Sequence, residues 1–158
     1  MVDRQNINRQ ILSLIPQRRP FRFVDRIVRV DARSISGEYR FRPDEYFYQG
    51  HFPEKPVTPG VILIEAMAQT GVVAMGIHTL LQQGVSPEEV RQTTTLFTLV
   101  ENVEFRQVVL PGEQVRIHGE VVYFRRGTLR SKVVMENQHG KEICAGILSG
   151  SGVQLHEA

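Results

Sequence analysis

Residues 61–81 are apolar on almost every helical face, and Glu65 is the only charge among them. A helix without a polar face must be enclosed by protein or by lipid. Its length, about 30 Å at about 1.5 Å per residue, is enough to cross a bilayer, so a membrane anchor is the structural alternative to a core helix. Glu65 and Gln69 lie inside the stretch, Gly71 and Gly76 interrupt it, and the chain that follows has the pattern of sheet. Those features favour a core helix wrapped by strands, with no membrane insertion.

Four strand-like stretches follow, at 93–105, 114–124, 128–136 and 142–150. Turn chemistry separates them at Pro111-Gly112, Arg125-Arg126-Gly127 and Asn137-Gln138-His139-Gly140. Upstream, residues 21–30 and 34–42 read as two further strands joined at Asp31-Ala32-Arg33, and residues 6–15 as a short helix stopped by Pro16. Ser86-Pro87-Glu88-Glu89 has the cap, the proline and the acids of another helix start. The economical architecture is α+β, one antiparallel sheet packed on one apolar helix, in a single domain over residues 1–158.

A chain of 158 residues with 41% hydrophobic content can bury such a core unaided. Its formal charge of +2 is too balanced for a nucleic-acid-binding surface. One cysteine, Cys144, excludes an internal disulfide framework and a Cys-rich zinc site and fits a reducing, cytoplasmic setting. The polar first ten residues do not read as a signal peptide.

Chemistry concentrates around an irregular loop at 43–60, where Pro43, Pro53, Pro56 and Pro59 surround Gly50, His51 and Phe52. His51 is either a hydrogen-bonding structural residue of that loop or its tunable base. Glu65 lies about one turn inside the apolar helix, where burial raises a carboxyl's pKa and suits it to act as a general acid. Gln69, at i+4, can hold that carboxyl in one orientation. Thr58-Pro59-Gly60 opens the helix, and free N–H groups with no side chain at Gly60 could polarise a carbonyl. These are the parts needed to remove a proton beside a carbonyl and protonate a leaving hydroxyl, with the helix walling a tunnel for an acyl chain.

His78, His118, His139 and His156 read as ordinary structural or surface residues, and Cys144 as a small buried one. No histidine pair has metal-site spacing, and neither a G-x-S-x-G nor a phosphate-cradling glycine loop occurs. Arg18, Arg19 and Arg22, with Arg125 and Arg126 at a later turn, are either a solvated face or a docking patch for an acidic partner.

The runs Gln49-Gly50-His51-Phe52-Pro53, Lys55-Pro56-Val57-Thr58-Pro59-Gly60-Val61 and Ile64-Glu65-Ala66-Met67-Ala68-Gln69 resemble the signature of the 3-hydroxyacyl-[acyl-carrier-protein] dehydratases of the FabZ type. Ile15-Pro16-Gln17-Arg18-Arg19-Pro20-Phe21, Val24-Asp25-Arg26-Ile27, Asn102-Val103-Glu104-Phe105-Arg106 and Leu110-Pro111-Gly112-Glu113 extend the resemblance over residues 11–150. It implies a hot-dog fold, a homodimer or a trimer of dimers, and a site shared across the dimer interface. In that site His51 of one subunit and Glu65 of the other are catalytic, Gly60 offers its N–H to the thioester carbonyl, and Gln69 steadies Glu65. The partner implied is acyl carrier protein, docked on Arg18, Arg19, Arg125 and Arg126, with no metal or organic cofactor.

Glutamate at position 65 favours this type over the dehydratase that also isomerises the double bond. Gln17 stands where a histidine is common, and Leu96 and Phe97 where many members carry a gating tyrosine, a divergence that also suits a relative serving a specialised acyl pathway. The competing readings are a hot-dog acyl thioesterase and a non-catalytic acyl-binding subunit.

Overall fold

Alternate residues are buried along the strand 128–137 and the first half of the strand 114–125, as half-covered sheet requires. Leu129, Ser131, Val133 and Met135 turn inward from one strand, and Val115 and Ile117 from its neighbour. They close on a central helix, α2 (Gly60–Gln82). Its Leu63, Ala66, Met67, Val72, Ala74 and Met75 are 4% exposed or less. The computed structural model describes residues 3–154; His156 lies outside the described residues.

Along the chain the elements are α1 (Arg4–Leu14), β1 (Arg26–Val30), β2 (Ser34–Arg40), a 3₁₀ turn (Tyr46–Gln49), α2, α3 (Pro87–Arg91), β3 (Thr94–Phe105), β4 (Gln114–Arg125), β5 (Thr128–Asn137) and β6 (Glu142–Val153). The strands form one antiparallel sheet in the order β1-β2-β4-β5-β6-β3. This is the hot-dog arrangement, and 72% of the most apolar window of α2 is buried inside it. The membrane-length helix is the core helix.

Two expectations change in detail. The strand expected over 21–30 pairs only from Arg26, because Gln69 on α2 takes the backbone of the residues before it. Its Oε1 accepts from Phe23 N–H at 2.7 Å and its Nε2 donates to Phe21 O at 2.9 Å. The central helix is not uniformly α-helical: residues Gln69–Ala74 form a π turn. There the helix lies hard against the sheet, since a Cβ on Gly71 would meet Val133 Cγ2 at 2.5 Å and one on Gly119 would meet Gly71 Cα at 2.8 Å. The loop at 43–60 is ordered and packed, in keeping with its prolines and aromatics, and contains the 3₁₀ turn. Tyr48 and Thr58 share a hydroxyl hydrogen bond of 2.6 Å, and Thr58 N–H donates to Val109 O at 2.8 Å.

Other sequence signals hold. Ser86 caps α3 in a reciprocal capping box with Glu89. Arg126 and Gly127 both have positive φ, 51° and 73°, the backbone of a two-residue hairpin turn between β4 and β5. Cys144 is fully buried on β6, and burial pushes its thiol up to about 11.

Candidate active site

His51 is held by backbone on both sides. Its N–H donates to Phe47 O at 3.0 Å, and its own carbonyl accepts from Val57 N–H at 3.0 Å. Its Nδ1 lies 2.8 Å from Val57 O. A carbonyl can only accept, so Nδ1 carries a proton, and in the neutral ring the lone pair is then on Nε2, the tautomer a general base needs. The ring stacks on Phe52 with centroids 4.2 Å apart.

Glu65 projects from the second turn of α2, where one hydrogen-bond partner meets it among the described residues: Gln69 Nε2 donates to its Oε1 at 2.8 Å. Burial drives its carboxyl above the ordinary value of 4.5, and the Gln69 hydrogen bond opposes the shift without cancelling it. Gln69 is fully buried. Both of its amide hydrogens are committed, to Phe21 O and Glu65 Oε1, and its oxygen accepts from Phe23 N–H, so the amide is fixed and orients the acid.

A cavity of about 200 Å³ opens beside Glu65, lined also by Gln17, Ala68, Thr95, Leu96 and Phe97. It shares Val72, Val73, Thr95 and Gly150 with a larger cavity of about 440 Å³, whose walls include Ile77, Leu80, Val90, Phe124 and Leu129. The two lie side by side along α2, and the smaller one holds the acid. Leu96 and Phe97 stand there beside Glu65.

His51 and Gly60 are not in the wall of the Glu65 cavity within one chain. At Gly60 the ring of Phe105 lies close, and a Cβ there would come within 3.0 Å of Phe105 Cζ. One protomer therefore brings together the acid, its orienting amide and the two cavities, while the base sits on a separate loop.

Arg18, Arg19 and Arg22 line a separate cavity with Val24 and Asp25. Pro16 and Gly127 both line the cavity of about 440 Å³, next to the segments that carry Arg18 and Arg19 and Arg125 and Arg126. Arg18 donates to Ile15 O and Gln17 O, Arg22 to Leu12 O, and Arg125 lies 4.5 Å from the centroid of the Tyr123 ring. Burial and then the neighbouring Arg18 charge hold Arg22 below its usual range.

His118 is less ordinary than its strand position suggests. Ser36 Oγ lies 2.8 Å from its Nδ1 and Glu136 Oε1 2.9 Å from its Nε2, a serine–histidine–carboxylate chain across β2, β4 and β5. All three strands are interior to the sheet, so their backbone N–H groups are spent on ladder bonds and none is left to hold an oxyanion. The chain of bonds ties strands together on the outer face. Period-two pairing of Ser36 with His118 was legible only once register was known. His78 is buried in α2, its Nδ1 without a partner among the described residues, and burial lowers its pKa.

A family model for the FabA-like domain matches residues 15–145 of this sequence. The chain belongs to the FabA-like domain family. Among curated FabA-like relatives, the 3-hydroxyacyl-[acyl-carrier-protein] dehydratase FabZ of Geotalea uraniireducens is 40% identical over 119 residues, covering 75% of this chain and 77% of that one. The FabZ of Caldicellulosiruptor bescii is 39% identical over 140 residues, covering 88% and 93%. Among solved structures, the dehydratase heterocomplex ApeI:P from Xenorhabdus doucetiae superposes with a TM-score of 0.75 at 12% identity, over 93% of this chain and 91% of that one. A mutant thioesterase PA1618 from Pseudomonas aeruginosa gives 0.56 at 17% identity, over 82% and 81%. The sequence relatives carry the family; the structural neighbours carry the fold.

Proposed function

We propose that this FabA-like chain dehydrates (3R)-3-hydroxyacyl-[acyl-carrier-protein] to the trans-2-enoyl thioester in fatty acid or related acyl-chain biosynthesis. The observation that carries the reading is Glu65: a carboxyl that burial pushes above its ordinary range, oriented by the buried amide of Gln69 and opening on a cavity walled by Ala68, Val72, Val73, Leu96 and Phe97.

In this reading Nε2 of His51 takes the proton from C2, and the electrons form the C2–C3 double bond. The C3–O bond breaks as Glu65 passes its proton to the departing oxygen, which leaves as water. His51 ends with one proton more and Glu65 with one fewer, and exchange with solvent resets both. The N–H of Gly60, at the positive end of α2, polarises the thioester carbonyl so that the C2 proton becomes acidic. Two side chains and one backbone amide supply all of this chemistry, so the reading includes no metal or organic cofactor.

The working unit in this reading is a homodimer of single-domain protomers in the cytoplasm, with one protomer's Glu65 facing the partner's His51. β3 supports it. This 12-residue strand ends the sheet, and its Leu96, Phe97, Leu99, Val100 and Phe105 are each more than 40% exposed. A long apolar edge invites pairing with another chain, and a second copy of β3 joins two sheets into one. Arg18, Arg19, Arg125 and Arg126 then form the docking patch for acidic acyl carrier protein.

The test follows enoyl absorbance of a crotonyl thioester of carrier protein or coenzyme A, with a thiol reagent present. Loss of absorbance without thiol release supports the reading through its reverse direction. Thiol release supports a thioesterase instead, and no change in either signal favours a non-catalytic subunit.

A further inference from the structure

Two glutamine amides border Glu65, and only one is committed. Gln69 accepts from Phe23 N–H and donates both amide hydrogens, to Phe21 O and Glu65 Oε1. Gln17 lines the same cavity as Glu65, yet its Oε1 is buried with no hydrogen-bond partner among the described residues. Buried amide oxygens are nearly always paired, and one that is not costs free energy until a donor arrives. Thr95 is the one other lining residue with a polar side chain; the rest of the wall is Ala68, Val72, Val73, Leu96, Phe97 and Gly150.

Loss of a C3 hydroxyl makes a matching demand. Its oxygen must receive a proton from Glu65, while its own O–H needs an acceptor within an apolar wall. We propose that the side-chain amide of Gln17 hydrogen-bonds the C3 hydroxyl of the substrate, and then the departing water, while Glu65 protonates the oxygen. Gln17 gives up and takes no proton; it accepts a hydrogen bond and fixes the direction in which the hydroxyl lies. Its terminal torsion is broad and roughly two-fold, so a half-turn brings the oxygen to the cavity in place of the NH₂, where it can accept the incoming O–H. The proposal rests on the dehydratase reading above and adds a substrate-binding residue to it.

The experiment compares two ligands of equal chain length on the full-length protein: (3R)-3-hydroxybutyryl-coenzyme A as substrate and butyryl-coenzyme A, which lacks the hydroxyl, as competitive inhibitor. Gln17→Met keeps the side-chain length and removes the amide. The expected result is a fall of about tenfold in kcat/KM, the worth of one hydrogen bond, with an inhibition constant for the saturated analogue unchanged within about twofold. Gln17→His, which restores an acceptor, recovers part of the loss. An unchanged kcat/KM overturns the proposal. So does equal weakening of both ligands, or a loss that tracks dimer dissociation, because either assigns the amide a structural role. If the Met variant does not fold, the same comparison is read on Gln17→Asn, whose amide is withdrawn by one methylene and loses the hydroxylated ligand selectively. Wild-type protein that turns over no hydroxyacyl thioester defeats the dehydratase reading itself; active wild type with an indifferent Gln17→Met defeats only the role of Gln17.

Discussion

Gln69 Nε2 sits 2.8 Å from Glu65 Oε1, one helical turn away, while the same amide holds the backbone of Phe21 and Phe23. One residue thus aims the acid and clamps the segment leading into β1. Gln69→Leu should cost about 1–3 kcal/mol, because it strands the buried Phe23 N–H and frees the part-buried Phe21 carbonyl, and thermal or urea unfolding reads that loss. The Gln69 hydrogen bond also lowers the Glu65 pKa, so its removal raises that pKa further. In the dehydration direction, which needs Glu65 protonated, the alkaline limb of kcat against pH should move up. A limb that stays put or moves down would show that Glu65 is not the acid.

His51→Ala removes the base without touching the core, and about 10²–10⁴-fold of kcat should go with it. Circular dichroism and the unfolding midpoint should stay close to wild type, since the ring is bonded to one carbonyl at Val57. Wild-type turnover in this variant rules His51 out.

Because burial holds Glu65 above 4.5, the folded protein binds that proton more tightly than the unfolded chain does. Its contribution to stability is therefore full below about 4.5 and is lost as pH rises from there through the raised folded value. Glu65→Gln stays neutral throughout. The stability of this variant relative to wild type should climb across that window and level off on either side, as measured by denaturant titration at a series of pH values. A difference independent of pH would mean the carboxyl is not desolvated.

Leu99, 44% exposed on the sheet-edge strand β3, is an apolar residue of the proposed dimer seam. Leu99→Lys places a charge there and should shift sedimentation toward the monomer at micromolar protein. Activity should fall with the dimer fraction, because Glu65 then lacks the partner's His51. Full activity in a demonstrated monomer would sink the shared-site reading.

The contact between α2 and the sheet at Gly71 leaves no room for a methyl group, with Val133 Cγ2 2.5 Å from where it would stand. Gly71→Ala should destabilise by about 1–3 kcal/mol through overpacking. Val133→Ala opens a void by itself, but combined with Gly71→Ala it should cost less than the two single changes added together. Strict additivity in unfolding experiments would refute the close contact.

Sequence patterning determined a good deal here. An all-apolar run with one carboxylate can only be a core or membrane helix, alternation with turn residues marked the later strands, and the i+4 spacing of Glu65 and Gln69 put acid and amide on one face. Those are local properties, carried by periods of 3.6 and 2 along the chain. Other features depend on how separate segments meet, and only the tertiary structure decided them. The clamp of Gln69 on Phe21 and Phe23 shortens β1, the approach of Gly71 to Gly119 accompanies a π turn, and Ser36, His118 and Glu136 form a chain only because of strand register. The unpaired amide of Gln17 belongs with them. Whether a polar group has a partner is a property of the space around it, and no spacing along a sequence encodes that.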